Sequence, residues 1–337
     1  MSMKMFCESP VSLRAVCAAA VLCAGLGLSA ATPARAQGGD FGQWLQGLRS
    51  EARGAGISER TLDAALTGVT PNPRVIELDR RQSEFTLTFE QYRSRVAPQS
   101  RIDRGRRLYA ENKPLLDEIS AAYGVPARFI VALWGIETDF GRNTGGYSVV
   151  RSLATLAHDG RRSEYFRKEL LNALRIIDEG HITAEAMIGS WAGAMGQSQF
   201  MPSSFLSRAV DWDRDGRRDI WTTRADVFAS AANYLKNAGW DGRYTWGREV
   251  RLPRGFDRAL LGLDTRKPLE TWARLGVRRA DGGALPVADI TGSIIVPDRS
   301  GGRAFIVYDN FRSILRWNRS FFFALTVGYL ADRIGGN

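Results

Sequence analysis

The sequence predicts an α+β chain that is predominantly helical, with a small block of short strands inserted before a last helix. Three observations carry this. Apolar residues recur at helical spacing from residue 41 onward, and helical character persists to about residue 239, broken only by glycine clusters. From there to residue 308 the texture changes to short alternating segments punctuated by turn signals. With 337 residues, 44% hydrophobic and 24% charged, the chain can build a sizeable core and has an ordinary globular composition.

Residues 1–36 stand apart from that body. Lys4 and Arg14 precede an apolar run over residues 15–31, and Ala34-Arg35-Ala36 offers a small-residue cleavage site, so the segment reads as a secretory signal with Gln37 as the first mature residue. Glycine and serine interrupt the run and no stop-transfer pattern follows, which argues against a membrane anchor. Cys7, Cys17 and Cys23 all lie in this segment, so the mature chain is expected to lack disulfides, thiol catalysis and cysteine zinc sites. Neither Cys17 nor Cys23 has a lipoprotein-processing context, and a soluble exported protein is expected. Loss of Lys4, Glu8, Arg14 and Arg35 lowers the formal charge from +10 to +8. A basic exported protein favours anionic partners such as cell-wall polymers, and nucleic acid is not expected, since no aromatic-basic motif stands out.

Along the mature chain, Phe41, Trp44, Leu45 and Leu48 mark a helix over residues 41–53, stopped by Gly54 and Gly56. Ser58 suits the N-cap of a helix over 59–66, and residues 70–73 read as an irregular connection. Further helices are predicted over 83–94 and 101–112, and Pro114 opens one that runs to Tyr123. These make an N-terminal helical domain, 37–115, followed by a core over 116–242. Strands are predicted over 248–252, 290–296 and 304–308, within a β region spanning 243–308. The C-terminal segment, 309–337, returns to the helical core through an apolar helix over 320–334, too short to span a bilayer.

One stretch of the core is chemically odd. Residues 129–136 form a markedly apolar run that ends in a single carboxylate, Glu137. Pro126 suits the first turn of a helix and Gly141 its end, so a buried helix would deliver Glu137 near its C-terminus. Desolvation and the negative end of the helix dipole both disfavour charge there, which is what a general acid needs near neutral pH. An end-of-helix glutamate pointing at water is the plainer alternative. Asp139, two residues on, would face elsewhere, so the two are not an acid and base pair.

Two further segments stand out. The glycine-rich stretch around Ser190, Gly193, Gly196 and Gln199 could let a glycan approach the backbone, or could equally be a turn packed between helices. The loop from Asp211 to Asp219 is more specific. Aspartates at positions 1, 3, 5 and 9 (Asp211, Asp213, Asp215, Asp219), with Gly216 at 6 and the Arg217 carbonyl at 7, reproduce an EF-hand-like calcium loop. Position 12 is Thr222, so the closing carboxylate must come from elsewhere. Asp226 is the nearest candidate, although Thr223 and Asp226 also read as a capping box for the next helix. Arg214, Arg217 and Arg218 dilute the loop's charge, which suits a structural site better than a sensor.

Other chemistries fall away. His158 and His181 lack zinc-ligand spacing, and there is no nucleophile elbow, Walker loop or dinucleotide fingerprint. A carboxylate acting on a sugar is left as the best enzymatic reading.

Glu137-Thr-Asp-Phe-Gly, the segment from Gly193 through Gln199 to Ser203, the Asp211 loop, and Asn310-Phe followed by Arg316-Trp-Asn resemble the membrane-bound lytic murein transglycosylase B family, from about residue 40 to the C-terminus. The resemblance implies a lysozyme-like catalytic core acting on peptidoglycan glycan strands in the periplasm. It implies Glu137 as catalytic acid, Ser190, Gln199 and Tyr234 on the glycan groove, Tyr92 and Asn310 at further groove positions, and a structural calcium closed by a later aspartate. A monomer is expected, with any protein partners drawn from cell-wall synthesis or division. Two departures are visible: Trp317 stands where tyrosine is expected, and a lipid-attachment cysteine is missing. No peptidoglycan-binding module is expected after the last helix. The implied reaction cleaves the β-1,4 bond between N-acetylmuramic acid and N-acetylglucosamine without water, leaving 1,6-anhydromuramic ends. The alternatives are a hydrolysing muramidase and a non-catalytic peptidoglycan-binding protein.

Overall fold

The computed structural model describes residues 40–81, 87–298 and 301–336. The signal segment, its cysteines and Gln37 lie outside the described residues. The chain begins with a string of short helices: α1 (Phe41–Gly54), α2 (Glu59–Leu66), α3 (Pro73–Arg80), α4 (Phe89–Val96), α5 (Gln99–Glu111) and α6 (Lys113–Tyr123). Side chains cap the starts of the first four. The Ser58 hydroxyl accepts from the Thr61 amide, Asn72 from Arg74, and Thr88 and Gln91 form a reciprocal capping box. The helix expected over 83–94 thus begins only at Phe89, because Thr88 caps it there. The connection expected at 70–73 also differs: Pro73 occupies the first turn of α3, a helix the residue pattern did not announce.

The central element is α7 (Ala127–Thr138), of which every residue but Arg128 is buried. It packs against α5, α6, α11 (Arg224–Asn237) and the last helix, α14 (Phe321–Gly335). After α7 come the two-residue strand β1 (Tyr147–Ser148), α8 (Val149–His158), α9 (Ser163–Asp178), β2 (Ile188–Gly189), which pairs with β1, and α10 (Pro202–Arg208). Among the described residues no single helix is long and apolar enough to cross a bilayer. The apolar α14 is core, with Phe323, Leu325, Val327 and Leu330 all buried.

Residues beyond α11 form an antiparallel sheet whose strand order is β4 (Lys267–Pro268), β6 (Thr291–Ile295), β7 (Ala304–Val307), β3 (Gly247–Arg251), β5 (Arg278–Arg279). The predicted strands are β3, β6 and β7; the two-residue edge strands carry too little alternation to be read. The sheet has its own apolar cluster of Val250, Leu269, Trp272, Val277, Ile294 and Ile306, with Trp272 supplied by the short helix α12 (Leu269–Arg274). It meets the helices where Phe89 packs edge-on against Phe305 and Phe322, and where the Trp246 indole donates to Asp332. From β7 the chain turns into α13 (Asp309–Trp317), which returns to α11 and α14.

Candidate active site

Glu137 is the penultimate residue of α7 and only 4% exposed. The turn that ends the helix is unusual: Asp139, Phe140 and Gly141 have φ of 51°, 61° and 81°, three consecutive residues in the left-handed region, two of them with a side chain. The surroundings over-determine this turn. Arg104 spans both Asp139 oxygens at 2.9 Å, and Arg101 adds a bond at 3.2 Å, both from α5. The Phe140 ring folds back over Gly135, where an added Cβ would lie 2.6 Å from it. The Thr138 hydroxyl accepts from the Gly141 amide and donates to the Gln197 carbonyl, each at 3.0 Å. Asp139 therefore serves the backbone, and Glu137 has no carboxylate partner from its own turn.

Trp317, at the end of α13, donates its indole N–H to Glu137 Oε1 at 2.7 Å. The tyrosine hydroxyl expected at this position is replaced by a donor of another shape. Its ring is fixed by Tyr234 (centroids 4.7 Å apart) and Phe200 (5.2 Å), and the Tyr234 hydroxyl donates to the Arg316 carbonyl. Tyr92 comes from α4 and packs against Phe322; burial first, and then the nearby charge of Glu137, pushes its hydroxyl pKa up to about 12. It thus stays a neutral donor at any physiological pH.

The 190–200 loop forms the adjoining frame. Ser190 Oγ accepts from the Ala194 amide, and the Gln199 amide donates to the carbonyls of Thr144 and Gly196. Gln199 itself has a φ of 48°. Glycines beside the loop serve its packing. A Cβ at Gly145 would lie 2.0 Å from the Gly189 carbonyl oxygen and one at Gly189 2.1 Å from that of Ala194, so they let backbone pack on backbone. Asn310 is 1% exposed, and its amide is committed to backbone: Oδ1 accepts from Asp241 N, and Nδ2 donates to the Asp241 and Tyr244 carbonyls. It holds the 241–244 turn.

The structure thus brings Tyr92, Trp317 and, behind the indole, Tyr234 to Glu137, and ties the Ser190 and Gln199 loop to the same helix end. The residue pattern did not single out Gln197, Trp134, Arg101 or Arg104. Trp317 was visible only as a departure.

The acidic loop is built around Asp226, in the first turn of α11. Carboxylate oxygens of Asp211, Asp213 and Asp226 converge to within 4.8 Å of one another. Asp226 is fully buried and accepts from the Trp212 and Asp219 amides, both at 2.7 Å. Burial, with Asp213 and Asp211 adding repulsion, pushes its carboxyl up to about 6 against the pull of those two amides. The capping box expected from Thr223 does not form: Thr223 makes no side-chain cap, because Asp226 is turned into the loop. Asp219 is diverted, accepting from the Trp221 and Thr222 amides at 2.8 Å. Asp215 faces the Arg217 amide and guanidinium and lies outside the converging group. Three hard oxygen donors, one of them buried and resisting charge, are a donor set that suits calcium.

The family model described as "Transglycosylase SLT domain" matches residues 40–332. Membrane-bound lytic murein transglycosylase B of Escherichia coli (strain K12) is 30% identical over 256 residues, 72% of this chain and 66% of that protein, so the match spans just under two thirds of its length. The structure of SltB3 from Pseudomonas aeruginosa in complex with NAG-anhNAM-pentapeptide superposes with a TM-score of 0.85 at 46% identity, covering 88% of this chain and 80% of the other. The Escherichia coli lytic transglycosylase Slt35 in complex with calcium gives a TM-score of 0.74 at 26% identity, covering 88% and 93%.

Proposed function

This chain belongs to the transglycosylase SLT domain family, and on that premise we propose that it is a lytic transglycosylase of peptidoglycan, a lyase in which Glu137 is both acid and base. The observation that carries this reading is the setting of Glu137: buried, at the end of an apolar helix, with its neighbour Asp139 spent on Arg101, Arg104 and Arg142. A retaining or inverting glycosidase needs two carboxyl groups flanking the bond. A transglycosylase needs one.

Protonated Glu137 gives its proton to the oxygen between N-acetylmuramic acid and N-acetylglucosamine, and the C1–O bond breaks. The carboxylate then takes the proton from the muramoyl C6 hydroxyl as that oxygen bonds to C1, closing a 1,6-anhydro ring and restoring the acid. No water enters, and the substrate's N-acetyl oxygen can stabilise the positive C1 centre in between. The indole of Trp317 can only donate, so Oε1 stays an acceptor in both steps and the travelling proton belongs to Oε2. Tyr92, Ser190, Gln199 and Tyr234 are read as the groove around the cleaved bond. NAG-anhNAM-pentapeptide in SltB3 supports the substrate class.

Calcium is the ion read for Asp211, Asp213 and Asp226, with Asp215 and the Arg217 carbonyl completing the loop on binding; the calcium complex of Slt35 supports it. When bound it neutralises carboxylates that otherwise repel. Export through the 1–36 segment would place the protein in the periplasm, where its substrate is. Mass analysis of the sugars released by the purified protein tests the reaction. Products one water lighter than muramidase products, resistant to borohydride, are expected. Reducing muramic ends would make the protein a hydrolase.

A further inference from the structure

The acidic loop and the catalytic helix are joined by hydrogen bonds that meet at Gln197. Gln197 uses all four of its hydrogen-bonding groups, two toward each side. Toward the loop, its backbone N–H donates to the Ile220 carbonyl and its Nε2 to the Trp221 carbonyl, both at 2.8 Å. Toward α7, its Oε1 accepts from the Trp134 indole at 2.7 Å and its carbonyl from the Thr138 hydroxyl at 3.0 Å. Trp134 lies one turn before Glu137, and Thr138 directly after it. Gly141 leaves the space this amide needs, since a Cβ there would lie 2.3 Å from Gln197 Oε1. Gly196 lets the backbones meet, since its Cβ would lie 2.6 Å from the Ile220 carbonyl oxygen. The loop's own end is fixed by Asp219, which holds the Trp221 and Thr222 amides and whose amide reaches Asp226. A second strut is Arg224, whose guanidinium lies 5.8 Å from the Trp134 ring centroid.

We propose that Gln197 is a positioning residue that couples the acidic 211–226 loop to the end of α7, so that the order of the loop sets where Glu137 stands. The proposal rests on the reading of Glu137 as the acid and base. Its reach goes further, because it makes the ion loop part of catalysis as well as of stability. The side-chain bonds run to the Trp221 carbonyl and from the Trp134 indole, so a shift at Trp221 is handed to Trp134 through the one planar amide of Gln197, held at both of its ends.

The test reads the Trp134 indole N–H resonance in ¹⁵N-labelled protein, assigned with Trp134→Phe. Asp219→Ala releases the Trp221 and Thr222 amides without touching Asp211, Asp213 or Asp226. It is expected to move the Trp134 resonance in the native background and to leave it unmoved in Gln197→Ala, where the side-chain bonds that reach Trp221 and the Trp134 indole are gone and only the backbone bonds to Ile220 and Thr138 remain. Gln197→Glu keeps the acceptor for Trp134 but cannot donate to the Trp221 carbonyl, and is expected to break the coupling in the same way if the alanine variant folds poorly. In steady-state assays Gln197→Ala should lower kcat by roughly 10- to 100-fold with KM unchanged, the loss that a misplacement on the order of 1 Å brings. A Trp134 resonance indifferent to Asp219→Ala, or a Gln197→Ala enzyme with native kcat, would overturn the proposal. Neither spectral readout depends on turnover, so an error in the assignment of Glu137 would show separately, as activity surviving in Glu137→Gln.

Discussion

Replacing Glu137 with glutamine keeps the shape of the side chain and removes its titrating proton, so the melt should barely change while turnover falls by ~10² to 10⁴, the usual worth of general acid–base help. Trp317→Phe is the complementary change. The ring stays against Tyr234 and Phe200, but the donor to Glu137 Oε1 is gone. A buried acceptor stripped of its donor costs about 1–3 kcal/mol, so a lowered urea midpoint and a kcat loss of at least roughly tenfold are expected together. Native kcat in that variant would show that the indole only fills space. The burial of Glu137 at a helix end could be read from the sequence because a carboxylate closing an apolar run is conspicuous locally. Its bond to Trp317 spans 180 residues, and no periodicity carries that information.

Two elements can be tested for what holds them. Alanine for glycine inside a helix ordinarily helps by ~1 kcal/mol. At Gly135 the new methyl would meet the Phe140 ring at 2.6 Å, so Gly135→Ala is expected to destabilise by about 1–3 kcal/mol in urea unfolding, through overpacking. An unchanged midpoint would mean that the left-handed turn is looser than its contacts imply. For the acidic loop, the ordinary Asp pKa of 3.8 is raised to about 6 at Asp226 in the ion-free fold. Folding then favours the protonated carboxyl, so the ion-free protein loses stability as pH climbs from about 4 through 6. Calcium needs the carboxylate, so its gain in melting temperature over chelator should be small at pH 5 and full by pH 7.5. Identical melts with calcium and chelator at pH 7.5 would leave only an Asp-rich turn. The loop was readable from spacing alone. Nearness points to Asp226 as the closing carboxylate, with a capping box at Thr223 as the alternative; what the Asp219 and Asp226 carboxylates actually meet is not carried by the letters.

For the whole molecule, the order of helices and strands was largely legible and the way they close on each other was not. The sheet was announced by alternation at 248–252, 290–296 and 304–308, yet its seam with the helices depends on Phe89, Trp246 and Asp332, which are unremarkable in sequence. The assembled site draws on residues 92, 104, 137, 197 and 317, so no contiguous fragment contains it. That scatter has a consequence for the cell that makes the protein. In a chain that emerges amino end first, the helix bearing Glu137 forms long before Trp317 arrives, and until then the carboxyl is without its indole contact. A version ending at residue 308 is expected to release no sugar from peptidoglycan, and adding residues 309–337 as a separate peptide should restore a measurable fraction of turnover only if that peptide docks against α4, α5, α7 and α11, the helices it packs on in the intact chain. The carboxyl end thus supplies a contact that the helix bearing Glu137 cannot make from its own neighbourhood.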